Sequence, residues 1–390
     1  MTDNIKMNKT NKLVKKKSLL SVNVMPFDMP FFILTIVLLT IGVSMMFSAS
    51  YAFAKYDPRY MDSFYFIKKQ LPFAAVGVVL MLIVSRIDYH FYHKFALPIL
   101  GVTYVLLGVV LLLPPINNVH RWISLPGLSI QPSEIAKFAI VLFFAHYISH
   151  YADKMNKFRH GVLPFALVLG SIAALLLMEP HLSGTVLILL IGAVMMLVGG
   201  TKLRWFGLVG LLAVGVLVYL VFFTKKIEYA TERIEMWLDP FKDLKGDGWQ
   251  TVQSLYAISS GGFLGVGFGQ SKQKFMYISE PQNDFVFAVV CEELGFVGAT
   301  IIIILFALLI WRGFVIAIKS PDKFGSFLAM GLIVQVGIQA ILNIAVVTNS
   351  IPNTGIGLPF FSYGGSSLLM LLVQMGVILN ISRSTVIEKT

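Results

Sequence analysis

Charge is scarce in this 390-residue chain: only 13% of its residues are Asp, Glu, Lys or Arg, against 57% hydrophobic residues, 31 of them Phe. That is about half the charge of an ordinary soluble domain, and the mean hydropathy of +0.79 leaves more apolar surface than a water-facing globule can hide. The composition excludes a soluble protein and predicts an all-α polytopic membrane protein. Cysteine is almost absent. The single Cys291 lies in an apolar stretch, which excludes an internal disulfide framework, a Cys-rich zinc site and a CxxC redox pair. Acids are outnumbered, 20 to 31, giving a net charge of +11. The basic residues are dispersed among apolar runs with no nucleic-acid motif beside them, so anionic lipid headgroups fit this charge better than nucleic acid. No His/Cys/Asp cluster has clean metal-ligand spacing, so no primary metal site is expected.

What is there is a succession of apolar runs near the ~20-residue length that spans hydrocarbon. They fall near Phe27–Ser50, Leu71–Val84, Phe95–Leu113, Pro132–Ile148, Gly161–Met178, Leu182–Gly199, Phe206–Phe223, Asp284–Ile318, Ser326–Val347 and Ser366–Ile381, ten crossings in all. Residues 1–26 begin with a polar stretch holding six lysines against Asp3 and read as a disordered basic cytoplasmic tail; 27–383 read as the membrane domain and 384–390 as a cytoplasmic tail. Ser48-Ala49-Ser50 imitates a signal-cleavage site, but the first apolar run exceeds the ~7–15 residues of a signal peptide, so it reads as a retained anchor. Arg86 with Lys94, Lys154 with Lys157 and Arg159, Lys202 with Arg204, and Arg312 with Lys319 and Lys323 alternate in phase with the tail, which places both termini inside. Lys55, Arg59, Lys68 and Lys69 break the pattern in the first outer loop.

The remaining polar sequence gathers in three outer segments: Pro114–Ser133, the large extracytoplasmic loop 224–283 between spans seven and eight, and Thr348–Gly365. In the large loop, Gln253 and Ser254 precede Gly261, Gly262, Gly265, Gly267 and Gly269, with Lys272 and Lys274 just beyond. So much glycine predicts a mobile backbone that closes on a ligand, although a plain connector is the simpler use of a loop. The loop ends in Ser279-Glu280-Pro281-Gln282-Asn283-Asp284, which delivers a lone carboxylate to the mouth of a spanning helix. Ionisable groups at such depth are functional candidates; Glu292 and Glu293 follow about two turns deeper. In the second outer segment Arg121 and Trp122 suit either an interface anchor or a grip on a phosphate and a sugar face. Gln131-Pro132-Ser133-Glu134 opens a helix, with Lys137 three residues past Glu134, suited either to an intrahelical ion pair or to an anionic partner. His181 suits a hydrogen-bonded turn. Ser362, Tyr363, Gly364 and Gly365 read as a re-entrant turn able to bind an anion.

These blocks, Arg121-Trp122, Gln131-Pro132-Ser133-Glu134 with Lys137, Glu280-Pro281-Gln282-Asn283-Asp284-Phe285, Glu292-Glu293-Leu294-Gly295, and Pro352-Thr354-Gly355 with Pro359-Phe360-Ser362-Tyr363-Gly364-Gly365, resemble the SEDS family (shape, elongation, division and sporulation) from about Phe27 to Arg383. Gln282-Asn283 before Asp284, Trp249-Gln250 and Gln253-Ser254-Leu255-Tyr256 look like its division branch, FtsW, rather than its elongation branch, RodA. The resemblance implies a glycosyltransferase polymerising lipid II on the outer face of the bacterial cytoplasmic membrane at the division septum. It also implies a class B penicillin-binding protein and other divisome proteins as partners, and a catalytic role for Asp284. Glu179-Pro180-His181 stands where many members have Gln-Pro-Asp, a departure that leaves this turn outside the implied roles.

The residues suit that chemistry. Displacing a lipid diphosphate needs one general base, here Asp284, and positive charge for the leaving group, for which Arg121, Lys137, Lys272 and Lys274 are candidates. Trp122, Gln131, Ser133, Glu134, Gln253, Ser254, Glu280, Ser362 and Gly364 complete the expected substrate-binding set. An assisting divalent cation, Mg2+ or Mn2+, is left open. A lipid II flippase is the competing class, with the same acids as an ion relay, but no inverted repeat with paired broken helices points to it. A non-catalytic scaffold explains the spans and not the charges.

Overall fold

The computed structural model describes residues 27–114, 120–125, 128–179, 181–207, 237–242 and 248–385. Ten principal helices are described: α1 (Met29–Tyr56), α2 (Tyr65–Val84), α3 (His90–Leu112), α4 (Pro132–Tyr151), α5 (Leu163–Met178), α6 (Leu182–Val198), α7 (Trp249–Gly261), α8 (Val286–Ile318), α9 (Lys323–Val347) and α10 (Gly365–Ser384). Eight helical segments among the described residues are long and apolar enough to cross a membrane, and α6 is a shorter apolar helix. The basic tail at 1–26 and nearly all of the expected span Phe206–Phe223 lie outside the described residues.

Helices run past the hydropathic limits of the apolar runs. The second expected span starts at Leu71, yet α2 starts at Tyr65 and takes in Lys68, Lys69 and Gln70; α3 begins at His90 rather than Phe95. Helical hydrogen bonding continues into the headgroup region, where polar side chains are no obstacle. Pro72 and Pro98 sit inside these two helices.

The all-helical expectation has one local exception, an antiparallel hairpin of β1 (Ile123–Leu125) and β2 (Leu128–Ile130), with Ile123 opposite Ile130. This register returns the chain so that Arg121 and Trp122 lie at the same end as Gln131 and Pro132, where α4 begins.

Most of α9 and α10 is buried, whereas α2 and α3 expose most of their apolar surface, as lipid-facing helices do. One end of the bundle is tied by polar groups. Asp28 caps α1 by accepting from the Phe31 N–H at 2.9 Å, and the same carboxylate accepts from Arg312 of α8 at 2.7 Å, while its own N–H donates to Ser382 of α10. Asn380 bridges the turn between α2 and α3, accepting from the Tyr89 N–H and donating to the Ser85 carbonyl, both at 2.9 Å. These ties fix the scaffold from which the opposite ends of the helices project.

Candidate active site at the outer end of the bundle

The segment before α8 is held by a buried knot. Helix α8 breaks at Gly295, whose φ of 67° and ψ of −169° leave neighbouring backbone groups without helical partners. The glycine-rich run supplies them: the N–H groups of Val266 and Gly267 donate to the carbonyls of Glu292 and Glu293 at 3.0 Å, and those of Phe296 and Val297 donate to Gly262 and Phe263. A broken helix at membrane depth survives only when its freed groups are paired within the protein. A Cβ on Gly265 would sit 2.2 Å from the Glu293 carbonyl oxygen, so the glycines permit this approach. The run is therefore docked against α8, a correction to the free, ligand-closing backbone expected from its composition.

The two acids beneath the run are spent on the same knot. Glu292 accepts from the Lys272 N–H at 2.8 Å and from the Ser271 hydroxyl. Glu293 accepts from Ser48 of α1 at 2.7 Å, from the Gly269 N–H at 2.9 Å and from Lys274 at 2.8 Å. Lys274 also donates to the Gly269 carbonyl at 2.7 Å and to Ser48 at 3.1 Å. An ammonium has three donors. All are occupied, which removes Lys274 from the cations expected to meet a diphosphate; Lys272 stays exposed.

Asp284 lies just beyond this knot. The residue at the N-cap of α8 is Phe285, without a side-chain cap, so the Asp284 carboxylate is not consumed in capping. It forms no ion pair among the described residues. The residue keeps some exposed surface, yet enough protein surrounds the carboxyl that burial pushes it up to about 6; its own backbone N–H opposes the shift and the Glu280 charge adds to it. The loop between α9 and α10 lies over it, with a Cβ on Gly355 placed 3.6 Å from Asp284 Oδ2.

Asn343 and Gln339 of α9 fasten that loop. Asn343 is fully buried and donates to the backbone carbonyls of Asp284 and Ile356, both at 2.7 Å. Gln339 donates to the Gly357 carbonyl at 2.9 Å and accepts from Lys137 at 3.2 Å. Lys137 is also paired with Glu134 at 2.8 Å, so both uses foreseen for it remain compatible: two donors are occupied and one is left for an anion. One line of contacts thus connects α4, α9, the loop between α9 and α10 and the backbone of Asp284. Neither Gln339 nor Asn343 was foreseen. Gln335, Gln339 and Asn343 recur every four residues along one face of an apolar helix, a signal the sequence does carry.

The other expected site residues fall at different distances from this line. Ser362 accepts from the Leu358 N–H at 2.7 Å and closes the loop, whose Gly364 N–H donates to Gln70 of α2. On α7, Ser254 donates to the Val347 carbonyl at the end of α9, and Gln253 beside it is buried. Glu280 accepts from Asn283 at 2.7 Å and lies 3.9 Å from Arg59. Gln131 precedes α4 without capping it, and Ser133 is buried in its first turn. Arg121 and Trp122 are half-buried beside the hairpin. Among the described residues no group of three His, Cys, Asp or Glu side chains is placed to hold a metal ion.

Comparison with known proteins covers nearly the whole bundle. Stage V sporulation protein E of Bacillus subtilis (strain 168) is 42% identical over 363 residues, covering 91% of this chain and 97% of that protein. The probable peptidoglycan glycosyltransferase FtsW of Geobacter sp. (strain M18) is 39% identical over 91% of this chain and 96% of its own length. Among solved structures, a chain from a peptidoglycan synthase complex, described as coordinating polymerization and crosslinking, superposes with a TM-score of 0.76 at 28% identity, covering 92% of this chain and 98% of that chain. The rod shape determining protein RodA of Thermus thermophilus gives 0.67 at 26% identity, covering 94% and 100%. The family pattern described as cell cycle protein, that of FtsW, RodA and SpoVE, matches residues 29–387, and this chain belongs to that family.

Proposed function

We propose that this chain is a peptidoglycan glycosyltransferase that polymerises lipid II at the outer face of the bacterial cytoplasmic membrane. The observation that carries the mechanism is the state of Asp284: an acid at the outer mouth of α8, not used as a cap or in an ion pair among the described residues, and shielded enough that its carboxyl titrates at about 6. Such a group is ionised at neutral pH yet basic enough to accept a proton. Asp284 takes the proton from the acceptor sugar hydroxyl as its oxygen bonds to the donor's anomeric carbon. The bond from that carbon to the diphosphate breaks, and its electron pair leaves with the polyprenyl diphosphate. Arg121, the spare donor of Lys137 and exposed Lys272 stabilise the charge that develops there. Trp122, Gln131, Glu280 and Ser362, which keep exposed surface, line the way in for the sugars, Ser133, Gln253 and Gly364 are buried and support its walls, and the lipid-facing helices take the polyprenyl tails.

The family resemblance supports ten crossings with both termini cytoplasmic, and a class B penicillin-binding protein as the partner that raises activity. Identity near 40% to FtsW and sporulation proteins supports work at a division or sporulation septum with other divisome proteins, rather than in elongation. Reporter fusions at Lys242 and Thr390 test the orientation; an active cytoplasmic reporter at Lys242 overturns it. Reconstitution of the purified chain with lipid II, with and without the transpeptidase, tests the activity. Glycan chains support the polymerase; lipid moved between leaflets without chains identifies a flippase instead, and neither product identifies a scaffold.

A further inference from the structure

Glu179, between α5 and α6, is fully buried, and neither of its carboxyl oxygens has a partner among the described residues. A buried polar group left so is costly, more when charged, and calls for a partner from outside the fold, a ligand or a water. Two other groups at this end of the bundle share the condition. His181 is 8% exposed with Nδ1 unpartnered, its ring packed so closely over Gly184 that a Cβ there would lie 2.7 Å away. Ser133, one turn before Lys137, is 3% exposed with its hydroxyl unpartnered. These groups stand at the outer ends of α4, α5 and α6.

The cations nearby are those assigned to the leaving group. Burial pushes the Glu179 carboxyl up to about 7, against the pull of the Arg121 guanidinium. Burial holds His181 down at about 3, with Arg121 and Lys137 lowering it further, so its imidazole is neutral. From α4 the facing charges are Lys137 and its partner Glu134; α9 contributes the uncharged Gln339, and the first turn of α6 carries no charge. A carboxyl serving only the fold would close on one of these cations, yet Lys137 turns to Glu134 and Gln339, and Glu179 is left with its oxygens unmet.

We propose that Glu179 lines the diphosphate subsite together with Arg121 and Lys137 and donates its O–H to a phosphate oxygen, so that the subsite takes up a proton as it fills. This rests on the polymerase reading and adds a positioning group to it. A neutral carboxyl reinforces the two cations, whereas an ionised one repels the phosphate, so binding favours the protonated form and raises its affinity for the proton. The sign follows: affinity for substrate is full below about pH 7 and falls as the free carboxyl ionises above it.

The test is binding of lipid II, a diphosphodiester whose own charge is constant in this range, to the full chain in nanodiscs at about pH 6 and about pH 8.5. One linked proton with a free value of about 7 makes the affinity drop about 30-fold between them. In Glu179→Gln, which is neutral at both, the drop disappears. Arg121→Ala and Lys137→Met weaken binding at both pH values while the slope persists. A wild type with no pH slope, or a Glu179→Gln variant that keeps the full slope, overturns the proposal; a carboxyl that meets only water gives the first result, or the second where another group supplies the slope. Wild-type binding indifferent to Arg121→Ala and Lys137→Met contradicts the assignment of those cations instead. If Glu179→Gln does not insert, protons taken up on binding by the wild type near pH 7 decide the matter: uptake supports the linkage and none overturns it.

Discussion

Substituting Lys274→Met isolates the knot beneath the catalytic segment. Its ammonium and the Glu293 carboxylate are 3% and 0% exposed at 2.8 Å, and the cation also bonds to Ser48 and the Gly269 carbonyl. Methionine fills similar volume but leaves a buried carboxylate with only Ser48 and the N–H groups of Gly269 and Ser271 around it. Removing one partner of a buried pair costs about 3–5 kcal/mol, mostly from the charge left behind. The double variant Lys274→Met/Glu293→Gln removes that charge, so it should recover stability, leaving a coupling of about 2 kcal/mol or more between the sites. Unfolding in mixed SDS and dodecylmaltoside micelles reads both quantities. Because the knot ties α1 to the chain that enters Asp284, the single variant should also lose polymerisation before it loses the fold. A single-variant cost under about 1 kcal/mol, the level of a surface pair, with no rescue in the double variant, refutes the reasoning.

Two further substitutions probe the supports of the site. Gly265→Ala places a methyl 2.2 Å from the Glu293 carbonyl at a φ of +82°; the left-handed backbone alone costs about 1–2 kcal/mol, so the total should exceed that of Gly269→Ala, where φ is +80° but the space is open, in the same unfolding assay. Asn343→Leu removes both hydrogen bonds that hold the Asp284 and Ile356 carbonyls together, and the lost register should lower the polymerisation rate between about tenfold and a hundredfold in protein that still inserts.

Eight spans were legible because hydrocarbon demands long apolar runs; Asp284 stood out because a carboxylate at the mouth of a membrane helix is costly to place, and its ordinary use there, an N-cap, falls in the structure at Phe285 instead. Lys274 misled for a related reason. A lysine beside glycines reads as an anion grip, but its acidic partner Glu293 is 19 residues away in sequence, and pairing across that distance is decided by the break at Gly295. The glycines themselves signalled close approach correctly; what approached was the backbone of α8 rather than a ligand. The hairpin that returns Arg121 to the start of α4 is too short to show alternation, and Glu179 became informative only when its burial and unmet oxygens were seen.

Polymerisation of lipid II by purified Asp284→Asn, beside the wild type across about pH 5 to 8, tests the catalytic role of Asp284 most directly. Asparagine keeps the shape, and since the residue at the N-cap is Phe285 the fold has little to lose. A general base works ionised, so the wild-type rate should rise as pH increases through about 6, while the variant should be slower by about 10²–10⁴-fold throughout with no inflection. An Asp284→Asn enzyme that polymerises at nearly the wild-type rate, with the same pH profile, contradicts the account.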